Sequence, residues 1–507
     1  MAAIITEKFR QSNADSFFAD LTSSKYYVFV GKSQPWTSEG ASADSVPPAP
    51  IDSVAPESYY WDDMLAAKKV ESANISYVIP RRNFDTSLSY DMYRHDVSGT
   101  TSSGNYPSKT TASSGATNVY DSTYYFITDA FRVYQVLYNG DAPQTGASNI
   151  TGANPTNEAT QPFWHDANYY LKFMYKLTTS QIQNFLTTDF MPVVVNSNPP
   201  AVRGILVVMV TSGGSSYPNG TFYTKVKGDG DGNAKVALVV SGGAITEFGE
   251  NNASNTYVSA SGANYTFATV DLSTANIFTD ANCTTAISGA TATSWTNATA
   301  GSITPIIEPP GGSGSDDIAQ LGGHYVMVQG KFTPADTDAT QVNDFRRVGI
   351  VKNPTDTATN NAATIATARQ TNALLLAAGG SGTYSVDEKI TQTTTGAEGR
   401  VVEFDATNRI LYYVQEKYSG FGVPSTGATK GNLTAFSGAN LVTGTDSNAQ
   451  HTPAASTSNT TNGVVFVNGV AAPELKRDTG EIIYVENRRV ISRASDQTED
   501  IKVVVEF

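Results

Sequence analysis

Cysteine and charge are both scarce in this sequence. Cys283 is the single cysteine in 507 residues, so no disulfide can form within the chain, which fits assembly in a reducing cytoplasm. Charged residues make up only 16% of the chain, and the net charge is −14. Because nucleic-acid-binding proteins neutralise phosphates with Lys and Arg, and no long basic run is present here, we expect no nucleic-acid partner.

Long apolar stretches are missing as well. The most apolar run, residues 205–210, is far shorter than the roughly 20 residues that a bilayer span requires. The N-terminus lacks the basic start and apolar stretch of a signal peptide. We therefore expect a soluble protein with no membrane partner.

Motifs of catalytic and metal sites are also absent. The sequence has no G-x-S-x-G elbow, no Walker A motif and no H-E-x-x-H motif. Its four histidines are scattered without metal-ligand spacing, at His95, His165, His324 and His451. We expect a protein that is not an enzyme and that needs no cofactor, metal or small-molecule substrate.

One acidic segment opens like a calcium-binding loop. Asp229, Asp231 and Asn233 have the spacing of the first three ligands of such a loop. Ala234 stands where glycine makes the sharp turn, and Val240 stands where a bidentate glutamate is needed. The sequence therefore favours a tight polar hairpin over a cation site.

The chain is rich in aromatic and small polar residues. It contains 26 Tyr and 22 Phe, whereas long stretches of strong helix formers are scarce. Aromatic and β-branched residues pack well on pleated strands. A chain of 507 residues also exceeds one ordinary core. We predict a mainly β protein with a few short helices (α+β), built as a multidomain antiparallel β scaffold.

Residue patterns place several elements of this scaffold. Alternation of apolar residues predicts strands at 26–30, 75–80, 131–138, 169–177 and 501–507. A helical stripe is predicted at Phe9, Phe17, Phe18 and Leu21, with Ser12 or Asn13 as the candidate N-cap. A second helix is predicted at 61–70, and a helical turn at 179–186.

Two glycine-rich stretches divide the chain into five segments. Short β patterns alternate with Gly/Ser/Asn turns in both stretches, which we interpret as small β modules inserted at loop tips. Strands at 399–404 and 409–415 form a predicted hairpin in the second module. The predicted segments are an N-terminal core region (1–203), the first inserted module (204–301), a continuation of the core (302–376), the second inserted module (377–450) and C-terminal core strands (451–507).

Four segments of the sequence resemble a known family. They are KFRQSNADSFFADLTSSKYYVFVGKSQPW, which ends at residue 36, VIPRRNFD at 78–85, NDFRRVGIVKNP at 343–354, and GEIIYVENRRVISRASDQTEDIKVVVEF at 480–507. All four resemble the gene 8 product family, the baseplate wedge subunits of T-even-type contractile phage tails. The glycine-rich modules look like inserts in structural proteins of marine T-even-like phages.

This resemblance implies a structural role. The family is mainly β and multidomain, works as a homodimer and binds other baseplate wedge proteins, so that receptor binding can be passed on to sheath contraction. It implies a place in the tail baseplate of a virion that is assembled in the host cytoplasm. The alternative reading is a tail-associated adhesin or glycan-binding protein. A tail depolymerase is a third reading, and the lack of clustered carboxylates counts against it.

Three arginine pairs stand out in this acidic chain, because each lies within a family-like segment. Adjacent strand residues point to opposite faces, so at most one arginine of each pair stays easily within its own fold. Arginine binds carboxylates in a bidentate manner and is enriched at interface hot spots. The alternative is ordinary solvated or intrachain ion pairs. Together with Trp36, expected to be partly exposed in its Pro-bounded turn, the candidate protein-interface residues are Arg81, Arg82, Arg346, Arg347, Arg488 and Arg489.

Overall fold

The structure, a computed structural model, divides into two compact units. It describes all residues except 1–4, 40, 53, 98–111, 141–146, 195–202, 251–252, 337–342, 416–433, 439, 456–457, 493 and 495. Unit 1 comprises Met1–Ala14, Ser76–Val326 and Glu506–Phe507. Unit 2 comprises Asp15–Ile75 and Met327–Val505.

Helices are few and mostly short. The α-helices of the described chain are α1 (Glu7–Ser23), α2 (Val54–Asp63), α3 (Thr179–Phe185), α4 (Gly289–Asn297) and α5 (Asp317–Gln320). Short 3-10 turns lie at Trp36–Glu39, Ser72–Asn74, Val119–Asp121 and Thr274–Asn276. None of the helices in the described part of the chain is long and apolar enough to cross a membrane.

Strands dominate the structure, which confirms the mainly β prediction. In the first part of the chain they are β1 (Tyr26–Gly31), β2 (Met64–Lys69), β3 (Ile75–Pro80), β4 (Tyr125–Ile127), β5 (Arg132–Tyr138), β6 (Phe163–Trp164), β7 (Tyr170–Lys176), β8 (Phe190–Pro192), β9 (Ile205–Ser212), β10 (Gly220–Gly228), β11 (Lys235–Ser241), β12 (Ala244–Ile245), β13 (Tyr257–Ala260), β14 (Ala268–Val270) and β15 (Ile277–Phe278). The later strands are β16 (Ser302–Ile307), β17 (Tyr325–Phe332), β18 (Phe345–Lys352), β19 (Thr367–Arg369), β20 (Asn372–Leu375), β21 (Lys389–Gln392), β22 (Ala397–Asp405), β23 (Ile410–Gln415), β24 (Val442–Gly444), β25 (Gln450–His451), β26 (Asn459–Thr461), β27 (Val464–Phe466), β28 (Val470–Ala471), β29 (Glu481–Ile491) and β30 (Glu499–Glu506).

Unit 1 is built around an aromatic core. An antiparallel sheet of order β4-β5-β7-β6 supplies most of its rings. The Tyr134 ring centroid lies 5.9 Å from that of Phe126 and 5.7 Å from that of Phe173. Because almost every residue of β5 is buried, both faces of this sheet are covered. Strand β8 pairs with β3 in the same unit.

The first glycine-rich region packs onto this core. Its central sheet has the order β12-β11-β10-β14, with β13 paired to β11 and β15 to β10. Strand β9 begins this region and β16 follows it in the sequence, and the two strands pair with each other in a separate antiparallel ladder. The Phe248 ring lies 5.1 Å from the Tyr138 ring and 5.2 Å from the Trp164 ring. The region and the aromatic sheet therefore belong to one continuous hydrophobic cluster.

The main sheets of unit 2 have five and seven strands. The first has the order β19-β2-β1-β18-β29, and every residue of β1 is buried. The second has the order β25-β24-β21-β22-β23-β20-β28 and has its own core, which includes Tyr384, Tyr413 and Phe436. Strands β26 and β27 form a hairpin, and β30 is hydrogen-bonded to β17.

Most of the strands predicted from the sequence are confirmed. Strands β1, β3, β5 and β7 match the predictions at 26–30, 75–80, 131–138 and 169–177. The predicted hairpin in the second glycine-rich region is the antiparallel pair β22–β23. The final strand is β30, which buries Ile501 and Val503 on one face. The helical turn predicted at 179–186 is α3, which Thr178 caps by accepting a hydrogen bond from the Gln181 N–H.

One helix prediction and one N-cap prediction are wrong. Helix α2 ends at Asp63, and the residues predicted to continue a helix form β2, which pairs with β1 on one side and β19 on the other. The sequence MLAAKK consists of good helix formers, so tertiary strand pairing overrides local propensity there. Helix α1 begins at Glu7, where Thr6 Oγ1 accepts a hydrogen bond of 3.3 Å from the Phe9 N–H, so Ser12 and Asn13 lie inside the helix.

Candidate interaction surface

The first arginine pair is held within unit 1. Arg81 donates to Asn83 Oδ1 and to the Thr187 carbonyl, both at 2.8 Å. Arg82 donates to the Ser122 carbonyl, and its guanidinium carbon lies 4.4 Å from the centroid of the Tyr125 ring. Both side chains are half-buried. Both arginines therefore have partners within unit 1, whereas we expected that only one arginine of each pair would have partners within its own fold.

The second pair is buried in unit 2. Arg346 forms a bidentate ion pair with Asp44, with nitrogen–oxygen distances of 2.8 and 2.9 Å. Arg347 lies on the opposite face of β18, 2.8 Å from Asp63 Oδ2, and its guanidinium lies 4.6 Å from the Tyr60 ring centroid. The hydrogen bonds from Arg346 hold the pKa of the Asp44 carboxyl below its ordinary value. The two arginines lie on opposite faces of β18 as expected, but each of them has a carboxylate partner within unit 2.

Trp36 is a correction to the sequence prediction. We expected a partly exposed side chain, whereas its indole is fully buried. The indole N–H donates a 2.7 Å hydrogen bond to the Arg488 carbonyl, and the Arg347 guanidinium lies 5.4 Å from the ring centroid. A buried indole of this kind usually finds a hydrogen-bond partner, as Trp36 does in the backbone of β29. Trp36 therefore stabilises β29 through a hydrogen bond to its backbone.

The third pair is different, because both of its side chains are exposed. Arg488 Nε lies 3.3 Å from Glu486 Oε1, and 45% of the Arg488 side chain is accessible to solvent. Arg489 has no ion-pair partner among the residues that the structure describes. A solvent-exposed ion pair such as that of Arg488 contributes about 0–1 kcal/mol, so neither arginine is needed to stabilise the fold.

Strand β29 forms an open edge of its sheet. It pairs with β18 on one side, and no other strand of the described chain pairs with its outer side. Arg347 is paired with Asn487 and Phe345 with Ile491, so residues 488–490 bulge opposite the single residue Arg346. Ile483 and Val490 are 41% and 40% exposed on this strand. Open edges are templates for pairing with another chain, and bulges and charges limit that pairing.

These contacts make β29 the candidate interaction surface of unit 2, which we call the β29 edge (residues 481–491). The edge presents two arginines and two apolar side chains, supported from beneath by Trp36 and Arg347. Such a strand can bind carboxylates and accept another strand along its backbone. The sequence predicted C-terminal core strands within 451–507, but the position of β29 at a sheet edge depends on β18, more than a hundred residues earlier.

The acidic segment at Asp229 has the predicted form of a tight polar turn. Asp229 Oδ1 accepts hydrogen bonds from the Thr266 and Phe267 N–H groups, at 2.8 and 2.9 Å. A hydrogen bond from the Thr266 hydroxyl, together with these backbone contacts, lowers the pKa of Asp229 to about 2. Asp231 is bonded in a similar way to Asn233. Among the described residues, no group of three or more His, Cys, Asp or Glu side chains is arranged to hold a metal ion.

Comparison with known proteins finds a similarity in the N-terminal part of the chain. Residues 3–130 match the family model Phage-Gp8, described as Bacteriophage T4, Gp8. A relative, the baseplate wedge protein gp8 of Enterobacteria phage T4, is 30% identical over 160 residues, which cover 31% of this chain and 43% of the relative. These matches confirm the resemblance predicted from the first two motifs. The motifs at 343–354 and 480–507 lie outside residues 3–130, and their resemblance stays a prediction.

Proposed function

We propose, from the match of residues 3–130 to the gene 8 wedge family, that this chain is a structural subunit of a phage tail baseplate wedge. That match is the observation that carries the proposal. The relative is named as a baseplate wedge protein, and the β-rich scaffold of this chain suits a part that must keep its shape while its neighbours rearrange. The proposed location is the tail baseplate of a virion, after assembly in the host cytoplasm.

The finer proposal is that two copies form a homodimer that connects other wedge proteins and relays the change that triggers sheath contraction. Permanent interfaces of this kind bury on the order of 2,000 Å² or more. The proposal requires no catalytic residue, cofactor, nucleic acid, membrane or small-molecule substrate. Protein surfaces alone would do the work.

We assign the β29 edge to contact with a wedge partner. Arg488 and Arg489 are exposed in a chain whose net charge is −14, so a partner with carboxylates on its surface would meet a local positive patch. Charged rim residues of this kind steer association and set specificity. Arg346, Arg347 and the first arginine pair are supported less well as contact residues, because their partners lie within the chain.

Co-purification separates this proposal from the alternative. The tagged chain is expressed together with the other baseplate proteins of its virus, and the same tagged chain alone is incubated with host cells. A wedge subunit should retain baseplate proteins through purification and should not bind cells. An adhesin or glycan-binding protein would give the opposite pair of results, and that outcome would overturn the proposal.

A further inference from the structure

Unit 1 contains a cleft that the proposed function does not use. Its volume is about 460 Å³, and it lies between the first turns of α1, the segment around His95, and the chain before and after α5. This volume is within the range of roughly 300–1,000 Å³ that is usual for ligand sites. Its walls include Tyr93, Tyr120 and the Pro309–Pro310 pair, so the polar groups described next sit among apolar surfaces.

Arg203 lines the cleft and carries hydrogen-bond donors. Arg203 Nε donates to the Glu308 carbonyl at 3.1 Å, which fixes the guanidinium, while its two terminal nitrogens have no partner among the described residues. The Glu308 carboxylate is engaged separately, because its Oε2 accepts a 3.0 Å hydrogen bond from the Gly204 N–H. A half-buried guanidinium without a carboxylate partner favours an anion supplied from outside.

His95, which also lines the cleft, adds a second donor. Its Nδ1 accepts a 3.1 Å hydrogen bond from the Ile307 N–H, so the hydrogen of the neutral ring resides on Nε2. Burial lowers the pKa of His95, which keeps the ring neutral at pH 7. Nε2–H has no partner in the described chain. The nearby Asp96 does not compete, because Arg94 binds both of its carboxylate oxygens at 2.9 and 2.8 Å.

Glu7, another lining residue of the cleft, carries an acceptor. Glu7 Oε1 accepts a 3.0 Å hydrogen bond from Asn118 Nδ2, whereas Glu7 Oε2 is buried without a hydrogen-bond partner in the described chain. His324 Nδ1 lies 3.3 Å from Glu7 Oε2 without forming a hydrogen bond to it. A buried carboxylate oxygen without a donor is costly, so a ligand that supplies an N–H or O–H there would be stabilised.

We propose that this cleft is a carboxylate-binding site, in which Arg203 and His95 Nε2–H hold a ligand carboxylate and Glu7 Oε2 accepts a hydrogen bond from the same ligand. The ligand is therefore a small acid, or an acidic side chain of a polypeptide, that also carries a hydrogen-bond donor apart from its carboxylate. The residues of the site come from segments of unit 1 that lie before and after the glycine-rich region in the sequence. The proposed site does not depend on the proposed wedge function. A wedge subunit and an adhesin could each carry it.

Ligand-observed NMR titration of the full chain tests the site with three probes. N-acetyl-L-glutamate N-methylamide carries a carboxylate and amide donors, L-glutamate carries carboxylates and an ammonium donor without an amide, and N-acetyl-L-glutamine N-methylamide is the neutral isostere. Binding of the glutamate amide probe or of L-glutamate, at least 10-fold tighter than binding of the glutamine probe, supports the site. Preference for the amide probe identifies a polypeptide source, and equal binding of the two acids identifies a free acid. Equal binding of all three probes, or of none, overturns the proposal.

Variants then locate the contact. Arg203→Gln should weaken acid binding by about 10- to 100-fold, the range for hydrogen bonds to a charged group. Arg81→Gln is the matched control, since it removes the same charge and a similar backbone contact outside the cleft. If Arg203→Gln fails to fold, His95→Asn carries the test, because Asn can still accept from the Ile307 N–H but lacks the Nε2–H donor. Unchanged binding in His95→Asn and in a folded Arg203→Gln would contradict the proposed contacts.

Discussion

Replacing Arg347 by methionine should destabilise unit 2 strongly. Arg347 is 3% exposed, donates to Asp63 Oδ2 at 2.8 Å and to Asn487 Oδ1 at 3.0 Å, and lies against two aromatic rings. Removing one member of a buried ion pair costs about 3–5 kcal/mol, because the other charge is left without a partner. Asp63 is 23% exposed and water can reach it, so we expect a loss near the lower limit, about 3 kcal/mol.

Thermal unfolding followed by circular dichroism measures this loss. For a unit of this size, 1 kcal/mol corresponds to roughly 2–4 °C, so the transition of unit 2 should shift down by roughly 6–12 °C. Arg489→Met is the matched control, because it removes the same charge from an exposed site of the same sheet. Its effect should be within about 0.5 kcal/mol.

The double variant Arg347→Met/Asp63→Leu separates lost pairing from lost volume. It removes both charges, and replacement of a buried pair by apolar side chains is often close to neutral. We therefore expect the double variant to recover more than half of the loss caused by Arg347→Met alone. A stability of Arg347→Met equal to that of Arg489→Met, combined with lost wedge binding, would refute the reasoning and make Arg347 a contact residue, as the sequence predicted.

Three further predictions test other parts of the account. Phe248→Ala should destabilise unit 1 by about 3 kcal/mol or more in thermal unfolding, because the Phe248 ring is part of the core of unit 1. A loss of stability below about 1 kcal/mol would mean that the glycine-rich region is an independent module. Because Arg346 depresses the pKa of Asp44, the loss of stability caused by Asp44→Asn should be full at pH 7 and should shrink as the pH falls through that depressed pKa. Urea titrations at several pH values measure this loss. A loss that does not change with pH would exclude the ion pair as its cause. Charge reversal at Arg488 and Arg489 should weaken co-purification of wedge partners at least 10-fold while the melting temperature stays unchanged. If partner binding and melting temperature fall together, the arginines have a purely intrachain role. The matched control reverses the charges of two exposed lysines on β10, Lys225 and Lys227.

Alternating strands were the part of the fold that the sequence predicted best. Strands β5 and β7 carry Tyr, Phe, Val and Leu in the local patterns that buried strands require, so short windows were sufficient. Strand β2 shows the opposite case. Its residues MLAAKK favour a helix locally, and only pairing with β1 and β19 makes them a strand. Pairings across hundreds of residues are not visible in a local window.

The fate of the arginines has the same cause. Alternation correctly placed Arg346 and Arg347 on opposite faces, but their carboxylate partners are Asp44 and Asp63, about three hundred residues earlier in the chain. The cleft in unit 1 is also assembled from distant segments, and neither Arg203 nor Glu7 belongs to a recognisable motif. Sequence reasoning finds residues that can form contacts, whereas tertiary pairing decides which of them remain available to a partner.

Cross-linking mass spectrometry of isolated tails tests the central claim most directly. The claim is that this chain is a baseplate component that works through its contact surfaces. We predict that the chain is present in purified tails and that peptides containing residues 481–491, or lysines close to them, are cross-linked to other baseplate proteins. Absence of the chain from purified tails, or its presence without any cross-link to a baseplate protein, would contradict the account.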